Sequence, residues 1–321
     1  MIFRDASDIV LDDVFVELAG FVPEAEVYLK LEGFNPAGSI KSKTAVALIE
    51  SAELEGRVGP DTQFIESTSG NLGIALATIC AARGYSLTLV TDPNTAPAAV
   101  QAMTALGADV VRVDTRDAEH GYLQTRIDYI HNRLAVEPNL VWLNQYANPA
   151  NIRVHRELTA RAIHEEFGDL TALFIGAGTT GTLMGCLQYF GEHSPATQIV
   201  AVDAVGSVTF GLPTARRRLP GLGTSRRPEI FVDDGGFEKV VVDEPGTIAM
   251  CRRIARRYGL LVGASTGTVL TAVERFAPTL PRGARVVAIS PDLGDKYLGT
   301  VYSPSWIAEH YPSLSAVARS D

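Results

Sequence analysis

A chain of 321 residues with Lys+Arg 28 against Asp+Glu 37 carries a formal net charge of −9, and 46% of its residues are hydrophobic. That length suits two domains of about 100–200 residues or one large α/β unit, and a composition near the globular mean excludes disordered, collagenous and coiled-coil chains. The acidic balance argues against nucleic acid or an anionic membrane surface as partner.

Cys80, Cys186 and Cys251 are far apart and lack metal-type spacing, which points to a reducing, cytoplasmic setting without disulfides. Arg4 and Asp5 stand where a signal peptide would need its apolar run. The longest nearly apolar stretch, 72–82, is too short to span a bilayer and ends at Arg83.

In chain order, β-branched runs predict strands at 27–31, 63–66, 87–91, 110–113, 172–175, 198–203 and 285–290. Helical patterns are predicted at 41–55, 72–83, 96–106, 121–134, 151–166 and 246–258. The strand runs are nearly continuous, as in strands covered on both faces, and the alternation predicts a doubly wound α/β architecture. Periodicity breaks at 144–151 and again at 216–228, which carries Arg216, Arg217, Arg218, Arg226 and Arg227. A solvated loop is the plain reading of the second break; a seat for a phosphorylated substrate is the other.

Three strand-to-helix loops have the composition of ligand seats, which in α/β sheets lie beyond the carboxyl ends of strands. The loop 35–41, Asn-Pro-Ala-Gly-Ser-Ile-Lys, puts Lys41 in the first turn of a helix. There the helix dipole and Lys43 disfavour an ammonium, with desolvation adding to both. Such a lysine suits a Schiff base; an ordinary surface lysine is the alternative. Serine at position 39 excludes a P-loop. The loop 67–71, Ser-Thr-Ser-Gly-Asn, offers hydroxyls and helix N–H groups to a carboxylate or phosphate. The loop 176–182, Gly-Ala-Gly-Thr-Thr-Gly-Thr, can wrap an anion; its GxGxxG spacing lacks a ribose-binding acid downstream. The six histidines form no zinc set and no GxSxG elbow is present. Anion seats plus an activatable lysine favour an organic phosphate cofactor, and pyridoxal phosphate meets those needs.

The motifs N-P-A-G-S-I-K, S-T-S-G-N-L-G, G-A-G-T-T-G-T-L and G-A-S-T-G-T, in this order, resemble the fold-type II pyridoxal-phosphate enzymes of the cysteine synthase / cystathionine β-synthase family, over about 14–302. The resemblance implies two doubly wound α/β domains like those of tryptophan synthase β, with the cofactor between them. The smaller would comprise 1–10 and 37–147, the larger 11–36 and 148–321. Lys41 would be the Schiff-base lysine and general base, and Asn71 would bond the ring oxygen of the cofactor. Gly178, Thr179, Thr180, Gly181 and Thr182 would cradle its phosphate, and Ser265 would face the pyridine nitrogen as a neutral partner. Ser67, Thr68, Ser69 and Gln145 would take the α-carboxylate of the substrate. A homodimer is the habit of the family.

Within that family, His120–Ile127, W-L-N-Q-Y-A-N-P, A-V-D-A-V-G-S-V-T-F-G and P-G-L-G-T-S-R-R-P-E-I resemble a narrower branch, the N-(2-amino-2-carboxyethyl)-L-glutamate synthases of siderophore and antibiotic pathways that make 2,3-diaminopropionate. The implied reaction is β-replacement on O-phospho-L-serine by L-glutamate, releasing phosphate. Arg126, or Arg218 and Arg226, would supply positive charge, and Tyr146 would orient the nucleophile or else serve as a core aromatic. Cysteine synthase chemistry with sulfide, dehydratase chemistry and a catalytically inactive regulatory module remain the alternatives.

Overall fold

The computed structural model describes residues 2–68, 70–117 and 121–317; Ser69 and His120, both singled out from sequence, lie outside them. The chain divides into two compact units, Met1–Leu11 with Phe34–Val154 and Asp12–Gly33 with His155–Asp321. The second unit receives the first strands, β1 (Phe15–Glu17) antiparallel to β2 (Ala25–Leu31).

The first unit alternates strictly: α1 (Lys41–Leu54), β3 (Gln63–Ser67), α2 (Asn71–Arg83), β4 (Ser86–Thr91), α3 (Pro97–Ala105), β5 (Asp109–Arg112), α4 (Leu123–Leu134), β6 (Leu140–Trp142) and α5 (Ala150–Val154). Its four strands are parallel in the order β5-β4-β3-β6. Helix crossovers cover both faces, so Phe64, Ile65, Leu89 and Val90 are fully buried. Phe64 and Leu89 pack with Ala45, Leu48, Ile49, Ala75 and Leu76 of α1 and α2, whereas Ile65 and Val90 pack with Ile130 of α4 and Leu140 of β6.

The second unit continues with a π-helical turn at His155–Ala160, α6 (Arg161–Phe167), β7 (Ala172–Gly176), α7 (Gly181–His193), β8 (Gln198–Ala204), β9 (Glu238–Val242), α8 (Glu244–Tyr258), α9 (Ala264–Phe276), β10 (Ala284–Ser290), α10 (Pro304–His310) and α11 (Pro312–Val317). Its sheet order is β1-β2-β10-β7-β8-β9, parallel apart from β1.

The strands at β1, β6 and β9 are not among those predicted. β1 and β6 are three residues each, too short to show a period, and β9 opens with exposed Glu238 and Lys239. The span 151–166, predicted as one helix, is α5, the π turn and α6; buried His155 and Thr159 hydrogen-bond through their side chains within the wider turn. No helix among the described residues is long and apolar enough to cross a membrane.

α8 and α9 pack closely because Gly267 has no side chain. A Cβ there would lie 2.3 Å from Cys251 Sγ and 2.7 Å from the Thr247 carbonyl oxygen of α8. Overpacking of this kind costs about 1–3 kcal/mol. Gly267→Ala should therefore lower the urea midpoint by a corresponding amount; unchanged stability would mean that α8 yields at no cost.

Candidate active site

Helix α1 starts at Lys41 because the preceding turn is closed by short-range bonds. Gly38 adopts φ 67, a conformation that favours glycine, and donates its N–H to Asn35 O at 2.6 Å. Asn35 Oδ1 accepts the Leu11 N–H at 2.9 Å, and Ser39 Oγ accepts the Lys41 N–H at 3.3 Å. Lys41 is partly exposed along its length, yet protein surrounds its ammonium. That loss of water lowers its pKa to about 8, while the carboxylate of Glu66 pulls the other way. From sequence the expected causes were the helix dipole and Lys43 with desolvation adding to them; in the structure desolvation comes first and a counter-charge, Glu66, opposes it.

Strand β3 carries Glu66 into a wholly buried position beside Phe64 and Ile65. A buried carboxylate is costly unless donors surround it, and these do. Oε1 accepts the Ser67 N–H at 2.9 Å and the Trp142 Nε1–H at 3.4 Å. Oε2 accepts the Gln145 N–H at 3.3 Å, and the Asn144 N–H adds to the set. Burial still outweighs these donors and pushes the carboxyl up to about 7.

Gln145, Ser67 and Thr68, predicted to take a carboxylate, lie around Glu66 and the start of α2. Gln145 is buried and donates Nε2–H to Ser67 O at 3.4 Å. Its own carbonyl accepts from Asn151 Nδ2 at 2.9 Å, and Thr44 Oγ1 donates to Asn151 Oδ1 at 3.2 Å. Ser67 Oγ is buried with no hydrogen-bond partner among the described residues, as is Asn144 Oδ1. Thr68 serves as the cap of α2: its Oγ1 accepts the Gly73 N–H at 3.2 Å and the Gly70 N–H at 3.4 Å. Asn71 is the first residue of α2. A hydroxyl without a partner next to a helix N-terminus suits a carboxylate.

The second unit holds the other predicted loop, between β7 and α7. β7 ends at Gly176, where a Cβ would meet Leu222 Cδ2 at 2.6 Å. The chain turns through Ala177, Gly178 and Thr179 into Thr180, which precedes α7 in a left-handed conformation at φ 67. A β-branched residue there is strained. Its Oγ1 is buried without a hydrogen-bond partner among the described residues. Gly181 and Thr182 open the thirteen residues of α7, whose N–H groups suit a phosphate. The segment 219–224 lies alongside, with the Gly223 N–H on Ala177 O at 3.0 Å. Ser265 is buried in the first turn of α9, and a Cβ on Gly221 would stand 3.4 Å from its Cβ and from the Tyr297 hydroxyl. Tyr297 in turn donates to Asp292 Oδ2 at 2.9 Å.

The three candidate arginines differ sharply. Arg126, on α4, is buried 3.5 Å from Asp92, with Nε and Nη1 lacking hydrogen-bond partners among the described residues. Arg226 forms an ion pair with Glu229. Arg218 is exposed, and its backbone N–H donates to Glu244 Oε1 at 2.6 Å. Tyr146 is half-buried in the turn after β6. Glu66 was the residue that sequence reasoning passed over. The signal available was a charged residue closing an apolar run, Phe64-Ile65-Glu66.

The pyridoxal-phosphate dependent enzyme family matches residues 15–292. The chain belongs to this family. It is 40% identical over 326 residues to the N-(2-amino-2-carboxyethyl)-L-glutamate synthase of Ralstonia nicotianae, covering 100% of this chain and 96% of that one. The protein of the same name from Cupriavidus metallidurans is 39% identical over 289 residues, 89% of this chain and 85% of its own. Among solved structures, O-ureido-L-serine synthase superposes with a TM-score of 0.86 at 29% identity, over 97% of this chain and 96% of that chain. The O-acetylserine dependent cystathionine β-synthase from Helicobacter pylori gives 0.85 at 29% identity, over 94% and 100%.

The chain is thus a pyridoxal-phosphate enzyme of the cysteine synthase type, with two α/β units. Its residues fit the cofactor: a desolvated lysine amine, and at a helix N-terminus a buried threonine hydroxyl without a partner among the described residues. If burial sets the Lys41 amine, amine labelling of cofactor-stripped protein, read by peptide mass spectrometry against pH, will show a Lys41 midpoint near 8. An exposed lysine titrates near ~10.4, and a midpoint there would refute the desolvated placement.

Proposed function

We propose that the protein catalyses β-replacement on O-phospho-L-serine with L-glutamate, giving N-(2-amino-2-carboxyethyl)-L-glutamate and inorganic phosphate. The observation that carries this reading is similarity to two proteins bearing that synthase name, over 100% of the chain for one and 89% for the other. The site chemistry supports it. Lys41 would hold the cofactor aldehyde, Asn71 its ring oxygen, Ser265 its ring nitrogen and the loop from Gly178 to Thr182 its phosphate. When bound, the cofactor supplies a sink for the electron pair left at Cα.

Displaced from the aldehyde by the amino group of the substrate, Lys41 Nζ, with its pKa lowered to about 8, would take the Cα proton as a neutral amine and later return one to Cα. Ser67 and Gln145, with the N-terminus of α2, would hold the α-carboxylate so that the Cα–H bond faces Lys41. The Cβ–O bond breaks with its electron pair on phosphate, and the neutral α-amine of glutamate forms the new Cβ–N bond and then sheds a proton. Arg126 would balance charge on the phosphate of the substrate, since two of its guanidinium nitrogens have no hydrogen-bond partner among the described residues. Tyr146 would orient the second substrate. The product would enter 2,3-diaminopropionate synthesis for siderophores or antibiotics, in a cytoplasmic homodimer.

Borohydride reduction followed by peptide mass spectrometry should find the cofactor on Lys41. Lys41→Ala should abolish that adduct and reduce turnover at least ~10³-fold. Given O-phospho-L-serine, the enzyme should release phosphate and form the secondary amine with glutamate faster than it forms cysteine with sulfide. Preference for sulfide would make it a cysteine synthase instead, and absence of any turnover would favour a binding module. Arg126→Ala should raise KM for O-phospho-L-serine about 10- to 100-fold, the worth of a charge-assisted hydrogen bond; an unchanged KM would remove Arg126 from the site.

A further inference from the structure

Glu66 has no place in the chemistry above, yet it is the most heavily served buried carboxylate of the first unit. It is the penultimate residue of β3, with no exposed surface, and its two oxygens face different segments. Oε1 takes the N–H of Ser67, where the 67–71 loop begins. Oε2 takes the N–H of Gln145, in the turn after β6. Trp142, at the end of β6, reaches Oε1 through its indole N–H. Lys41 of α1 is the charged group that faces it. What β3, β6 and the following turn bring are the uncharged donors of Ser67, Trp142, Asn144 and Gln145.

We propose that Glu66 is a positioning residue, whose buried carboxylate locks the Ser67 and Gln145 segments in one register beside Lys41. The inference rests on the reading of those two segments as the seat of the substrate α-carboxylate. Register matters here because the β3–β6 ladder is short, pairing Gln63–Leu140, Phe64–Val141 and Ile65–Trp142. Its backbone bonding runs on to the Leu143 N–H on Ile65 O at 3.3 Å, after which Asn144 adopts a left-handed φ of 49. Gln145 is held past that point by Glu66 Oε2, by its own side chain on Ser67 O, and by Asn151 on its carbonyl. A glutamate provides two acceptors at one point, which is what two converging N–H groups require. An amide would present an N–H₂ to one of them, leaving a buried donor facing a donor. The negative charge has a second consequence, because it favours the protonated form of Lys41 and so limits how far burial depresses the amine.

Two substitutions separate these roles. Glu66→Gln keeps length and removes charge; Glu66→Asp keeps charge and shortens the reach. In Glu66→Gln, KM for O-phospho-L-serine should rise about tenfold or more with a smaller change in kcat. The midpoint for Lys41 labelling in cofactor-stripped, full-length protein should fall by about one pH unit. In Glu66→Asp, KM should rise similarly while the Lys41 midpoint stays near that of the parent. Variants that only melt earlier, with KM, kcat and the Lys41 midpoint unchanged, would overturn the proposal. If Glu66→Gln does not fold, Glu66→Asp decides alone, and an unchanged KM there overturns it. Should the parent hold no cofactor on Lys41, the functional reading fails; the midpoint shift in Glu66→Gln then still tests the placement of Glu66 by itself.

Discussion

A parallel sheet hands its chain to a helix at the same edge after every strand, so backbone N–H groups without partners collect along that edge. The 67–71 and Gly178–Thr182 loops both lie at such an edge. In the first unit β3 and β6 are hydrogen-bonded neighbours, and their carboxyl ends put the 67–71 loop and the turn at Gln145 side by side. In the second unit β7 feeds the Gly178–Thr182 loop into α7, and the segment containing Gly221 and Gly223 lies against it. Two of the glycines there leave no room for a side chain. At Gly176 and Gly73 an added Cβ would come within 2.6 Å and 2.4 Å of neighbouring side chains.

The electrostatics of the first unit are governed by loss of water rather than by charge pairing. Burial lowers the Lys41 amine to about 8 and raises the Glu66 carboxyl to about 7. Each group moves toward its neutral form, and each is restrained by hydrogen bonds or by an opposite charge. Both therefore titrate within reach of neutral pH, which is what proton transfer at carbon requires of the base. The second unit uses a different device. The N-terminus of α7 and a strained Thr180 border a loop whose N–H groups suit an anion without a buried cation among its named residues, and Ser265 is buried in the first turn of α9.

The strands at 63–66, 87–91 and 172–175 were legible because central parallel strands are apolar on both faces. β1 and β6 were not, since three residues carry no period, and β9 was masked by its charged start. The anion loops were legible as compositions, Ser-Thr-Ser-Gly-Asn and Gly-Ala-Gly-Thr-Thr-Gly-Thr, but the division of labour within them was not. Thr68 serves as the cap of α2, whereas Ser67 and Thr180 keep buried hydroxyls without partners among the described residues. Among the arginines, sequence offered Arg126, Arg218 and Arg226 on equal terms; the fold buries the first, exposes the second and pairs the third with Glu229.

The sequence by itself determined the architecture, the cofactor and the residue types at each loop, because these are written in local periods and ordered motifs. Only the tertiary structure decided what surrounds each group. Lys41 is a perturbed amine because protein displaces its water, and Glu66 is an organising carboxylate because β6, 76 positions along the chain at Trp142, returns beside β3. Desolvation and long-range donors depend on distance in space, and nothing in a linear spacing encodes them.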